Sequence, residues 1–143
     1  TSISSRNPYF MHGTWSGEGS QWRFRNSDGS YASNEWGYIN GAWYYFNSEG
    51  YMTTGWQSIG GKWYYMDPAQ GSGQGMMKTG WVYDNGYNGW FYLEASGAML
   101  TGWQQINGIW YYLNPISDGS QGLMAADAWV EGYYVGADGA WQE

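Results

Sequence analysis

Cysteine is absent from the 143-residue chain, which removes disulfides and thiolate metal sites and leaves the redox compartment open. Basic residues are few: 5 Lys+Arg stand against 12 Asp+Glu, a formal net charge of −7. Such a surface repels nucleic acid and other polyanions and tolerates a cation. Val, Ile and Leu are scarce, and no apolar run approaches the roughly 18 to 20 residues that span a bilayer. The N-terminus lacks a basic-then-apolar signal, so the chain is expected to be soluble, without membrane insertion and with any export signal already removed. His12 is the single histidine, and the carboxylates Glu18, Asp67, Asp84 and Asp118 lie mostly where turns favour them. Acid–base catalysis therefore lacks parts, and no enzyme, cofactor or metal site is expected. The stretch from Gly71 to Gly75 has neither the Lys nor the strand-to-helix setting of a phosphate loop and reads as a connector.

What the chain has instead is rings and turns: 12 Trp, 15 Tyr, 4 Phe and 24 Gly. This composition suits short strands that present large flat side chains between tight turns, and it does not suit an aliphatic core. One unit recurs with a period of roughly 20 to 25 residues, the mark of a stacked architecture. Its first tryptophans are Trp15, Trp36, Trp56, Trp81, Trp103 and Trp129. The copies read GWQSIGGKWYYM from Gly55, GWQQINGIWYYL from Gly102, WGYINGAWYYF from Trp36 and, more weakly, WSGEGSQWRF from Trp15.

Asn40-Gly41, Gly60-Gly61 and Asn107-Gly108 are signals for two-residue type I′ turns, so each copy is predicted to be a β-hairpin. Counting outward from Gly60-Gly61 pairs Ile59 with Lys62, Ser58 with Trp63 and Trp56 with Tyr65. Alternation then puts Trp56, Trp63 and Tyr65 on one face and Gln57, Ile59 and Tyr64 on the other. The same count pairs Trp15 with Phe24, Trp81 with Tyr92 and Trp129 with Tyr134. The last hairpin loses its second Trp to the turn and reads as a terminal cap. Two connections, DPAQGSGQGMM and NPISDGSQGLM, are longer than the rest, so the larger repeat is a two-hairpin unit. The fold expected is all-β, a solenoid of about six stacked hairpins over residues 14–143, stabilised by stacking because a lone hairpin is marginal. Residues 1–13 match no copy and are expected to form an N-terminal cap or a linker stub.

The pattern of GW, six residues, WYY, a Gly turn, Met and the next GW closely resembles the choline-binding repeats of surface proteins from pneumococci and their phages. The resemblance runs from about Trp15 to Glu143. It implies a left-handed solenoid with choline held at each junction by two Trp of one hairpin, a Tyr of the next and a Met. Carried over, the cages would be Trp36 and Trp43 closed by Tyr65, Trp56 and Trp63 closed by Tyr92, and Trp81 and Trp90 closed by Tyr112. Two outer cages would be Trp15 and Trp22 with Tyr45, and Trp103 and Trp110 with Tyr134. Met52, Met77, Met99 and Met124 would be fourth walls. The second tyrosine of each pair is chosen because it shares a face with the tryptophans, and Tyr44, Tyr64 and Tyr111 are assigned to packing or exposure on the other face. The longer connections put the junctions closed by Tyr92 and Tyr134 most at risk of being wider or closed. Arg23, in place of a tyrosine, sets a fixed charge near the first junction.

A quaternary ammonium has no N–H donor, so ring faces rather than hydrogen bonds must capture it. The resemblance implies a partner bearing choline or phosphocholine, namely teichoic or lipoteichoic acid, and a location outside the cell on the bacterial wall, with a homodimer joined at the last hairpin as a further implication. Related repeats of glucan-binding proteins and clostridial toxins share the WYY and Gly-turn grammar while recognising sugars. A sugar-binding module and a structural or interaction solenoid therefore stand beside the choline reading at this stage.

Overall fold

A computed structural model describes residues 12–143. Of the segment expected to be a cap or stub, residues 1–11 lie outside the described residues. Five two-stranded antiparallel hairpins and one three-stranded sheet make up the described chain. They are β1 (Gly13–Glu18) with β2 (Gln21–Asn26), β3 (Glu35–Ile39) with β4 (Ala42–Phe46), β5 (Gly55–Ile59) with β6 (Lys62–Met66), β7 (Gly80–Asp84) with β8 (Gly89–Leu93), and β9 (Gly102–Ile106) with β10 (Ile109–Leu113). The last sheet joins β11 (Ala128–Val130), β12 (Tyr133–Val135) and β13 (Trp141–Gln142). The fold class read from the sequence, all-β and built of about six hairpin repeats, is the one observed.

The turns set the register. Asn40 and Gly41 have φ of 50° and 82°, and Asn107 and Gly108 have 52° and 82°. Two successive positive values are what a type I′ turn requires, and its twist matches that of the strands it joins. Trp56 consequently faces Tyr65 and Ser58 faces Trp63, while Trp15 faces Phe24, Trp81 faces Tyr92 and Trp129 faces Tyr134, all as counted from the sequence.

After each second strand the connection folds back and forms a further rung: Phe46 bridges Met52, Met66 bridges Met77, Leu93 bridges Met99 and Leu113 bridges Met124. In the last sheet this rung is the pair Val135 and Trp141. The residue that ends each second strand from the second hairpin onward is fully enclosed, with Phe46, Met66, Leu93, Leu113 and Val135 all at 0% exposure. This apolar side chain recurs once per repeat as a fixed part of the core.

The described contacts divide the chain into two compact units, one ending at Lys78 and the other running Thr79–Glu143. In the first, Phe24, Ala32, Ile39, Tyr44, Phe46 and Met52 form a buried cluster, with Trp15 and Trp22 packed against it. Successive hairpins of a unit are pinned through the backbone. The Met52 N–H donates to the Trp22 carbonyl at 2.8 Å, the Met77 N–H to the Trp43 carbonyl at 2.8 Å, and the Met124 N–H to the Trp90 carbonyl at 2.9 Å. The methionine that follows one hairpin is thereby fixed beside the second tryptophan of the hairpin before it.

Gly139 shows how closely the connections seat. Its φ is 84°, and a Cβ there would collide with the Met124 sulfur. Gly139→Ala combines a strained left-handed residue with overpacking, so thermal unfolding is expected to show a loss of about 2–4 kcal/mol.

Candidate functional site

Each cage begins with two tryptophans on one face of a hairpin. Trp36 and Trp43 lie 6.4 Å apart at an interplanar angle of 86°, and Trp81 and Trp90 lie 6.5 Å apart at 90°. Two perpendicular walls result. The third ring comes from the next hairpin: Tyr64 stands 4.9 Å from Trp36 at 72°, and Tyr111 stands 4.8 Å from Trp81 at 72°. Near-perpendicular rings around one space suit a compact, roughly spherical cation better than a flat ring, which needs a parallel partner.

At the Trp36 and Trp81 pairs the ring that meets the tryptophans from the following hairpin is the first tyrosine, Tyr64 or Tyr111, where the sequence reading had placed the second, Tyr65 or Tyr112. Tyr45, Tyr65, Tyr92, Tyr112 and Tyr134 instead pack on the first tryptophan of their own hairpins, at 5.2, 4.8, 5.1, 5.0 and 5.3 Å from Trp36, Trp56, Trp81, Trp103 and Trp129. The reason lies in the stacking. A junction joins the tryptophan face of one hairpin to the opposite face of the next, so its closing ring must alternate away from the tryptophans. Tyr64 and Tyr111, assigned from sequence to packing or exposure, are the rings that face the pairs.

The cavity around Trp81 is about 350 Å³ and is lined by Trp81, Trp90, Tyr111, Met124, Ala137 and Asp138. Met124 is thus brought to the position expected of a fourth wall. Met77 holds the same backbone relation to Trp43 that Met124 holds to Trp90. Both methionines ride on the long connections, and Met124 lines the cage that precedes its own.

The junction of Trp103 and Trp110 encloses a cavity of about 330 Å³ lined by those two residues with Tyr133 and Trp141. It had been placed at risk of distortion, yet its size is close to that of the Trp81 cavity. Tyr133 stands 5.9 Å from Trp103 and 5.9 Å from Trp141, and Tyr134, the expected closing ring, lies on Trp129. Glu131 accepts a hydrogen bond from the Trp103 indole N–H at 2.9 Å, which fixes the ring and satisfies its donor.

Trp141 was missing from the sequence reading. The signal was present: Ser96-Gly97-Ala98-Met99 aligns with Asp138-Gly139-Ala140-Trp141, and the rung of Val135 with Trp141 matches that of Leu113 with Met124. A tryptophan thus takes the methionine's place. With Trp141 as a ligand wall, Trp141→Ala is expected to weaken choline at this junction about 2- to 30-fold, at roughly 0.5–2 kcal/mol per ring contact, while Trp141→Met retains most of the affinity. Calorimetric titration of the two variants checks this.

The first junction is built differently. Trp15 packs on Tyr44 at 4.9 Å, on Phe24 at 5.3 Å and on Phe46 at 5.7 Å. Tyr44 is 6% exposed and Phe24 1%, so the rings fill the space between these hairpins, and Tyr45, the expected partner of Trp15 and Trp22, lies on Trp36. Arg23 does not face this junction. By alternation it projects from the opposite face to Trp22 and Phe24, and its guanidinium carbon lies 3.8 Å from the centre of the Tyr31 ring and 5.5 Å from that of Tyr51. Trp56 and Trp63 stand on β5 and β6 of the first unit, Tyr92 stands on β8 of the second, and the ring of β8 that corresponds to Tyr64 is Phe91, which is buried. Met52 is buried in the first unit's core, and Met99 bridges Leu93 and lies against Gly122.

Burial raises the Tyr44 pKa above its usual value. The neutral phenol is thus favoured by the fold, so this contribution is intact below the unfolded value near 10 and is lost as pH climbs from there through the folded value. Thermal melts at pH 9 and pH 11 are expected to show a smaller alkaline loss in Tyr44→Phe than in the parent chain.

A hairpin-repeat module in which successive hairpins of a unit enclose perpendicular aromatic walls defines a class of ligand-binding proteins. Residues 34–74 and 102–141 match choline-binding repeat families, and residues 79–99 match a cell wall binding repeat. The choline-binding domain of Spr1274 in Streptococcus pneumoniae is 36% identical, with 64% of this chain and 96% of that domain covered and a TM-score of 0.52. The chain belongs to the choline-binding repeat family. It is also similar to choline binding protein F from Streptococcus pneumoniae, at 37% identity, 92% of this chain, 47% of that one and a TM-score of 0.65. The endolysin of phage Cp-1, solved in complex with choline, is 34% identical over 93% of this chain and 38% of its own, with a TM-score of 0.62. The chain thus spans less than half of these two relatives. No curated protein sequence matches it.

Proposed function

We propose that the chain binds choline in the cages at Trp36, Trp81 and Trp103 and so attaches non-covalently to phosphocholine-bearing teichoic or lipoteichoic acid of a bacterial wall. The observation that carries this reading is the duplicate geometry at Trp36 and Trp81. Two cages in different units, followed by connections of different sequence, agree within 0.1 Å in both ring distances. Perpendicular walls favour a trimethylammonium group over a pyranose, which ranks a sugar-binding module second. The phage Cp-1 endolysin, described in complex with choline, supports the same ligand.

Three ring contacts at roughly 0.5–2 kcal/mol each give a free choline about millimolar affinity. A polymer carrying many cholines gains by effective concentration, which accounts for several weak cages in tandem. At the far end Trp129 is 73% exposed and packs on Tyr134 without a second tryptophan. This half-cage is the proposed contact for a second copy, to be followed by sedimentation with and without choline.

The deciding experiment titrates choline against tryptophan fluorescence and melting temperature, with a soluble glucan oligomer in parallel. A saturable millimolar response to choline, with a native-state stabilisation of about 2.7 kcal/mol per occupied cage at a hundredfold excess over Kd, is expected. A response to the glucan in its place would make this a sugar-binding repeat.

A further inference from the structure

The cavity at Trp103 is lined by four aromatic residues, whereas the one at Trp81 has an acidic residue, Asp138, in its lining. Asp138 is held in place by its turn. Its Oδ1 accepts the Ala140 N–H at 3.0 Å, the Gly139 N–H donates to the Gly136 carbonyl at 3.0 Å, and the Gly136 N–H donates to the Ala140 carbonyl at 2.9 Å. Gly139 is seated against Met124, itself a wall of the same cavity. The turn that carries the charge is therefore docked on the cage. Glu131 is occupied differently, at the indole edge of Trp103, and does not line either cavity.

The residue before the corresponding glycine is neutral in three other connections: Gln74, Ser96 and Gln121 precede Gly75, Gly97 and Gly122. It is acidic at Asp28, before Gly29, and at Glu49, before Gly50, and at both the chain supplies its own cation: a Cβ on Gly29 would stand 3.5 Å from a terminal nitrogen of Arg25. A Cβ on Gly50 would stand 3.2 Å from a terminal nitrogen of Arg23. Nε of that guanidinium is buried without a hydrogen-bond partner among the described residues, and its carbon sits over the Tyr31 ring. In the first unit an acidic turn therefore accompanies a cation held by rings.

Resting on the choline reading above, we propose that Asp138 makes the Trp81 cage selective for a positive charge, so that it prefers a quaternary ammonium to a neutral ligand of the same shape more strongly than the Trp103 cage does. Ring quadrupoles favour the cation over a neutral tert-butyl group in both cages, so a further preference at one of them has to come from charge in its lining. By Coulomb's law, a carboxylate about 5 Å from a bound cation in a water-like dielectric adds about a 3- to 5-fold preference for the cation at low salt.

The test uses the full chain labelled with 5-fluorotryptophan, its Trp90 and Trp110 resonances assigned by replacing each with Phe, and titrated with choline and with its neutral isostere 3,3-dimethylbutan-1-ol. Asp138→Asn keeps the Oδ1 acceptor for Ala140 and removes the charge. Choline Kd at the Trp90 resonance is expected to rise about 3- to 5-fold in the variant, with the isostere unchanged and the Trp110 resonance unaffected. In the parent chain, raising NaCl from 20 to 500 mM should weaken choline at Trp90 more than at Trp110. Equal changes for choline and isostere, or an unchanged choline Kd in Asp138→Asn, overturn the assignment while leaving the cages standing. Absence of choline shifts at every resonance of the parent chain overturns the cages and this assignment with them.

Discussion

Trp81→Ala is expected to remove both a ligand site and part of the second unit's stability. The indole touches Trp90 and Tyr92 in its own hairpin and Tyr111 in the next, at 6.5, 5.1 and 4.8 Å. Rings supply most of the contacts of this indole, and flat rings held at fixed angles close poorly over a void. A cost of about 3 kcal/mol corresponds to a fall in melting temperature of more than about 10 °C for a unit of this size. Differential scanning calorimetry with and without choline separates the two effects. The variant should melt lower in buffer and gain less from choline than the parent. An unchanged melting temperature would mean that the ring stands free of the fold.

Exchanging the two tyrosines of β6 gives the second large effect. Tyr64→Ala strips the Trp36 cage of its third wall and is expected to weaken choline there by about tenfold, at the upper range of a single cation–π contact. Tyr65→Ala, one residue along, removes a ring that lies on Trp56 and leaves the Trp36 cage complete. Its cost should appear in stability and not in choline affinity at Trp36. Calorimetric titration of the pair separates the two roles, and the reverse ranking would return the closing role to the second tyrosine of each pair.

The different fates of these neighbours show what was legible in the sequence. Hairpins, turns and register followed from glycine signals and counting, because a type I′ turn admits one pairing and a strand alternates strictly. Grouping each tryptophan pair was equally direct. The closing tyrosine was not, since alternation tells which residues share a face without telling which face of the next hairpin meets it. The contacts of Tyr64 with Trp36 and of Tyr111 with Trp81 show which face is presented at those two pairs. Trp141 escaped because position was judged by residue type, and methionine was the type sought. The enclosed residues after each aromatic cluster, Phe46, Met66, Leu93, Leu113 and Val135, were visible as a constant apolar position, but the density of rings drew attention elsewhere. The filled first junction depends on how Phe24 and Phe46 rotate against Trp15, which a one-dimensional pattern does not carry.

In mechanical terms, the walls of the Trp81 cage come from chain segments that a pulling force would separate in turn. The tryptophans belong to β7 and β8, Tyr111 to β10, Met124 to the connection after it, and Asp138 to the turn before β13. A ligand seated there clasps three successive hairpins, so extending the chain from its C-terminal end must break the cage before the fourth hairpin can open. Attachment and resistance to unravelling would then rise and fall together, and a module loaded along a polymer would be toughest while its ligand is bound.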